Sequence, residues 1–217
     1  MALYPIFVEL KGRPVIVIGG GNVGAEKVRG LLAAEADITL VSPDLIEELR
    51  EHADAGRIRH IARVYEELDL DGGYEFIMVA TDDGAINAEV AGAGKRRGLW
   101  VNAADDPTNC DFILPAVVRK GKITLAASTS GASPALARRL REELDAYLTD
   151  DMPALADLLA EVRQEMRKHG IKVENDTWQY AIDGQLRVLL AQRRYGQARA
   201  RLIERLGIEL TPVGGSA

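Results

Sequence analysis

Residues 13–24 read RPVIVIGGGNVG, and this stretch decides the fold. Arg13 to Ile18 is a short β-branched run, and Val23 to Ala34 carries Val28, Leu31 and Leu32 at helical spacing. Between them, Gly19, Gly21 and Gly24 fit the pattern G-x-G-x-x-G. Between a strand and a helix, each glycine has a physical reason. Gly19 permits the tight turn, Gly21 lets a pyrophosphate approach the backbone, and Gly24 lets the helix pack close on the strand. The phosphates would rest on free N–H groups at the positive end of the helix.

Outward from this unit, strand-like and helix-like segments alternate. Strands are expected at 38–41, 58–62, 76–80 and 99–102, with helices at 44–55 and 85–97 between them. Such alternation implies right-handed crossovers and a parallel sheet. The strands are nearly all apolar, as they are when helices cover both faces. The second strand ends in Val41-Ser42-Pro43-Asp44, where an acidic residue would hold an adenosine ribose. Asp44 reads equally well as that ligand or as the cap of the next helix. No arginine stands beside it to take a 2′-phosphate, which favours NAD over NADP. Thr81-Asp82-Asp83 follows the fourth strand, where Thr81 would line the nicotinamide side or the trio would cap the following helix. Asn102-Ala103-Ala104-Asp105-Asp106-Pro107 leaves the fifth strand at the same edge. A carboxylate there could take a proton while a hydride departs. Spacing alone does not choose between Asp105 and Asp106, and an Asp before Pro is also a turn former.

After Asp111 the pattern changes. Residues 112–118 and 123–128 read as a hairpin, and Ser133-Pro134 opens a helix that runs to about Tyr147. Ser128-Thr129-Ser130-Gly131-Ala132-Ser133 places hydroxyls and backbone donors at that helix N-terminus, with Arg138, Arg139 and Arg141 behind it. This is a candidate anion site, and guanidinium groups suit carboxylates; an ordinary capped surface helix is the plainer reading. From Asp151 the chain reads as helical, with Leu155, Leu158, Leu159, Val162 and Met166 in one stripe, then helices near 176–194 and 197–206.

The 217 residues carry a formal net charge of −6, which argues against a general nucleic-acid footprint. A single cysteine, Cys110, excludes an internal disulfide framework and reads as a small buried residue. His52, His60 and His169 have no ligand spacing and read as surface residues, so no fixed metal site is expected. No apolar run has the length of a membrane span, and Met1 to Lys11 has no basic region ahead of an apolar stretch. No membrane association and a cytoplasmic location are expected.

Taken together, the motifs resemble the N-terminal region of siroheme synthases: precorrin-2 dehydrogenases, some of which also insert Fe²⁺ as sirohydrochlorin ferrochelatases. The resemblance rests on Tyr4-Pro5-Ile6-Phe7, Gly19 to Val23, Ala80-Thr81-Asp82-Asp83 with Asn87, Asn102 to Pro107, Phe112-Ile113-Leu114-Pro115, and Ser128 to Leu140 with Ser133-Pro134-Ala135-Leu136-Ala137-Arg138. It implies a Rossmann-type NAD-binding domain over 1–113, a small α+β dimerisation segment over 114–149, and an all-α C-terminal domain over 150–210. It implies a homodimer that oxidises precorrin-2 with NAD. It places the key aspartate at Asp105 and cofactor contacts at Asn22, Val23, Pro43 and Asp44. Gly19, Gly21, Gly24, Ser42, Thr81 and Asn102 complete the expected cofactor set. Ser128, Thr129, Ser130, Gly131, Ser133 and Arg138 form the expected substrate set. A serine that is phosphorylated in one branch falls at Thr129 here, and Gly24 stands where alanine is more usual and should be tolerated. Without a methyltransferase domain, the chain would receive precorrin-2 made by another enzyme. A nucleotide-sensing module would share the glycine loop but would not need the 102–105 segment or the anion loop. A dehydrogenase of another small substrate is the remaining alternative.

Overall fold

A computed structural model describes residues 3–104 and 106–210. The chain divides into two compact units, one through Leu114 and one from Pro115.

The first unit is a parallel sheet. Its strands are β1 (Pro14–Ile18), β2 (Asp37–Val41), β3 (Arg59–Ile61), β4 (Phe76–Val79) and β5 (Trp100–Ala103), in the order β3-β2-β1-β4-β5. Helices α1 (Asn22–Ala33), α2 (Glu47–Asp54) and α3 (Gly84–Arg96) connect them. Alternation of side chains along β1 divides the core. Val15 and Val17 face α1 and α2, in register with Ile38 and Leu40 on one side and Phe76 and Met78 on the other. Ile16 and Ile18 face α3, with Ile77, Val79, Val90 and Val101. Burial on both faces is why these strands read as unbroken apolar runs. The order reverses at β1, so the loops after β1, β2, β4 and β5 emerge at one edge around a switch point.

Two local features depart from the expected elements. Helix α2 begins at Glu47 with Ile46 at its cap position, so Asp44 does not cap it. The preceding loop is instead drawn back onto the glycine turn, with Ile46 N donating to Gly20 O at 3.0 Å. A short 3₁₀ helix, Glu67–Asp71, was not expected; Glu66 and Asp69 cap it reciprocally and it buries Leu70.

The second unit opens with an antiparallel hairpin, β6 (Ala116–Lys120) and β7 (Ile123–Ala127), followed by α4 (Pro134–Tyr147). Strand β6 starts four residues later than the run 112–118 suggests, because Phe112 packs edge-on to Phe76 in the first unit's core. Helices α5 (Asp151–Lys168), α6 (Asn175–Ala181), α7 (Gly184–Ala191) and α8 (Tyr195–Leu206) bury Leu158, Val162, Trp178, Leu186 and Leu202 together. The single helix expected over 176–194 is two. The apolar period runs through the break, but Asp183 accepts from Leu186 N at 2.8 Å and starts α7 afresh.

Asp183 also receives Arg201 and Arg205 from α8. The Arg201 guanidinium, aided by the Leu186 amide, holds its carboxyl down at about 2. Asp183→Ala removes the cap and the pair, and should lower stability by about 1–2 kcal/mol at neutral pH. A depressed folded pKa contributes stability above the unfolded value and loses it on protonation. The gap between wild type and variant, read by denaturant melts, should therefore close as pH falls from about 4 to about 2.

Candidate functional site

The glycine loop separates packing demands from an unexplained opening. Gly19 has φ +116°, and a Cβ there would lie 2.3 Å from Ala80 O. A Cβ on Gly20 would lie 2.2 Å from Asp44 O, and one on Gly24 would lie 2.2 Å from Gly19 O. These three glycines are required by the protein's own backbone. Gly24 therefore closes the turn tightly, and an alanine there would need the loop to shift. Gly20 was missed in the sequence because it occupies a free position of the motif. Gly21 differs: its φ of −88° suits any residue, and a Cβ there would meet nothing within 4 Å. Among the described residues no side chain caps α1, and no acidic residue sits in its first turn. Open space at Gly21 beside uncapped N–H groups is the cradle an anionic pyrophosphate needs.

Around this cradle lies a cleft of about 650 Å³. It brings together Gly19, Gly21, Asn22 and Val23 with Ser42, Pro43, Asp44 and Thr81; Gly24 and Asn102 lie outside its lining. Val64 and Tyr65 form part of its wall. The Tyr65 hydroxyl is buried with no partner among the described residues, and burial pushes it up to about 12. The loop after β2 is braced from two sides. Ser42 Oγ donates to Asp44 O at 2.8 Å, and His60 Nε2 lies 2.9 Å from Ser42 O. His60 is thus half-buried on β3 rather than a surface residue. His52 is also partly buried, with Nδ1 unpartnered among the described residues, while His169 is exposed. Arg50 donates to Leu45 O and Glu47, and Arg63 grips Asp69 through two bonds, so both guanidinium groups are engaged.

The loop after β4 is held by Asn87. Thr81 Oγ1 donates to Asn87 Oδ1 at 2.6 Å, and Asn87 Nδ2 donates back to Thr81 O at 3.0 Å. Asp83, not Thr81, caps α3 by accepting from Ala85 N and Ile86 N.

Asp105 lies outside the described residues. Its neighbour Asp106 accepts from Thr108 Oγ1 and Asn109 Nδ2, both at 2.6 Å, and these bonds hold its carboxyl below the usual range. Asp106 is therefore occupied in building its own 3₁₀ turn. Cys110 is half-buried; its sulfur accepts from Ala103 N at 3.2 Å and can donate to Ala103 O or Asp106 O. Asn102 is buried, donating to Phe112 O at 2.9 Å and accepting from Lys27 Nζ at 3.0 Å.

In the second unit, Ser133 caps α4 by accepting from Leu136 N. Thr129 Oγ1 donates to Ser133 O and accepts from Ser133 N, and Ser128 Oγ accepts from Ser130 N. Ser130 and Gly131 adopt left-handed backbone angles. Arg138 and Arg139 each face a glutamate one turn along, at 3.6 and 2.8 Å.

The glycine assignments make a stability prediction. Gly24→Ala should cost about 1–3 kcal/mol through overpacking against Gly19. Gly21→Ala should stay within about 1 kcal/mol of wild type, its reduced unfolded-state entropy offsetting a poorer N-cap. Thermal melts of the two variants check the contrast.

Comparison with known proteins agrees with this geometry. Residues 6–116 match a family described as putative NAD(P)-binding, and residues 120–147 match one described as sirohaem biosynthesis protein central. Siroheme synthase of Methylococcus capsulatus is 36% identical over 206 residues, covering 94% of this chain and 43% of that protein. Siroheme synthase of Photorhabdus laumondii is 33% identical over 208 residues, covering 95% and 44%. The chain thus spans less than half the length of these curated relatives. The solved structure of SirC, a precorrin-2 dehydrogenase, is 32% identical with a TM-score of 0.74, and the match covers 92% of this chain and 100% of that one. With an NAD-binding sheet and the sirohaem central segment in one chain, this protein belongs to the family of precorrin-2 dehydrogenases and siroheme synthases.

Proposed function

We propose that this chain oxidises precorrin-2 to sirohydrochlorin with NAD. The observation that carries the reading is the opening at Gly21, beside an uncapped helix and at the sheet edge where β5 ends. Bound NAD supplies the hydride acceptor. The first-turn N–H groups of α1, with Gly19, Gly21, Asn22 and Val23, hold its pyrophosphate. Asp44, freed from capping α2 and flanked by Ser42 and Pro43, takes the adenosine ribose. Thr81, clamped by Asn87, borders the nicotinamide, while Gly24 and Asn102 shape the walls from behind.

Oxidation removes a hydride and a proton from the substrate. Asp105 receives the proton; the engagement of Asp106 in its own turn supports this choice over its neighbour. Ser128, Thr129, Ser130, Gly131, Ser133 and Arg138 hold the carboxylates of the substrate, with Arg138 exchanging its weak contact to Glu142 for them. Positioning, rather than covalent catalysis, supplies most of the acceleration. Fe²⁺ is a second substrate to be tested, and the cytoplasm is the compartment this reading assigns.

We further infer a homodimer formed through α4. That helix has no buried residue, and Leu136 and Tyr147 are 49% and 65% exposed. Leu136→Glu should shift the sedimentation coefficient from dimer to monomer; a monomeric wild type would rule this interface out.

The activity is tested by anaerobic incubation with enzymatically generated precorrin-2, with and without NAD. An NAD-dependent sirohydrochlorin spectrum is expected, and Fe²⁺ added afterwards reads metal insertion. Asp105→Ala should lower kcat by about 10²–10⁴ while leaving NAD affinity in place. An unchanged rate would remove Asp105 from the mechanism.

A further inference from the structure

Lys27 is absent from every expected site residue, yet it joins two parts of the ligand edge. It lies on α1, one turn beyond Val23, and is half-buried. The buried face of α1 (Gly24, Ala25, Val28 and Leu31) packs on the sheet. Strand β5 is the edge strand, separated from β1 by β4. The long lysine side chain nevertheless reaches β5, where Nζ donates to Asn102 Oδ1 at 3.0 Å.

Asn102 is only 5% exposed, and its other amide atom donates to Phe112 O at 2.9 Å. One buried amide therefore ties the ammonium on α1 to the chain on the far side of the 103–111 loop. The base of that loop is closed by Ala104 N donating to Val79 O at 2.9 Å and by Asp111 N donating to Val101 O at 2.8 Å. Asp105 belongs to this loop by sequence. Ordering a lysine side chain sacrifices more rotamer freedom than ordering a small apolar one, which would fill the space more cheaply. A charged donor to a buried amide instead gives direction, which fixes register.

We propose that Lys27 is a positioning residue, which fixes the loop carrying Asp105 relative to the helix that bears the cofactor's pyrophosphate. The inference rests on the dehydrogenase reading for its catalytic consequence but not for its structural one. Lys27→Met keeps the length and removes the donor; Lys27→Arg restores a cation. In hydrogen–deuterium exchange, amides of 103–111 should exchange at least about 10-fold faster in K27M, with β1 and β4 unchanged. In the precorrin-2 assay, K27M should lose about 10- to 100-fold in kcat with NAD affinity within about twofold, as a displaced reacting group requires. K27R should recover most of both. The double variant K27M/N102L should lose less than the sum of the two single losses, since the two residues share a contact.

Unchanged exchange in 103–111 would overturn the inference, and so would a loosening spread evenly over the whole first unit. An unchanged kcat alongside local loosening would overturn its catalytic part. A wild-type chain that does not oxidise precorrin-2 would count against the function, while the exchange data would still decide the anchoring. If K27M does not fold, K27Q, which removes the charge and leaves only a shorter neutral donor, should show the same local loosening in smaller degree.

Discussion

The close approach of Gly24 to the carbonyl of Gly19 sets the ligand edge of this protein. With no Cβ at either position, α1 starts directly against the end of β1, and its first turn carries no side-chain cap among the described residues. The loops on each side are then pulled in. Ala80 O presses on Gly19 from β4, and Asp44 O presses on Gly20 from β2. A turn squeezed from both sides keeps one free side, at Gly21, and the cleft opens there. Backbone crowding thus explains three glycines, while the fourth, Gly21, is left open to the cleft.

Around that turn, side chains act mainly as braces. His60 supports Ser42 from behind, Asn87 fixes Thr81, and Cys110 sits inside the turn after β5. None of these needs to touch substrate to matter, because each limits how far a loop at the edge can drift. The proposed removal of a hydride and a proton would depend on such limits, since positioning is what brings the reacting groups together. In the second unit, the Ser128–Ser133 loop is similarly pre-shaped by its own hydroxyls, which keeps its left-handed turn at Ser130 and Gly131 in place.

The sheet was legible because strands buried on both faces must be apolar throughout, and glycine spacing located the switch point. The start of α4 was legible too, because Ser133 stands directly before a proline. Other features escaped for physical reasons. The break at Asp183 lies within an uninterrupted apolar period, so only the cap contact reveals it. The 3₁₀ helix at Glu67–Asp71 is too short to show a period. His60 looked like a surface residue because its partner, a backbone carbonyl, has no sequence signature. Lys27 and Asn102 are 75 positions apart, and only the parallel crossover brings them together. Spacing alone leaves Asp105 and Asp106 equivalent; the proposed preference for Asp105 rests on family resemblance and on the hydrogen bonds that occupy Asp106.

Whether the opening at Gly21 is cofactor space is tested most directly by calorimetric titration of NAD into the wild-type chain and into Gly21→Val. A Cβ added there would meet no described atom within 4 Å, so the fold should be kept. One NAD per chain should bind to wild type, with affinity at least about 100-fold weaker in the variant, equivalent to about 2.7 kcal/mol. Equal affinity in a folded Gly21→Val protein would contradict the assignment of that space to the pyrophosphate.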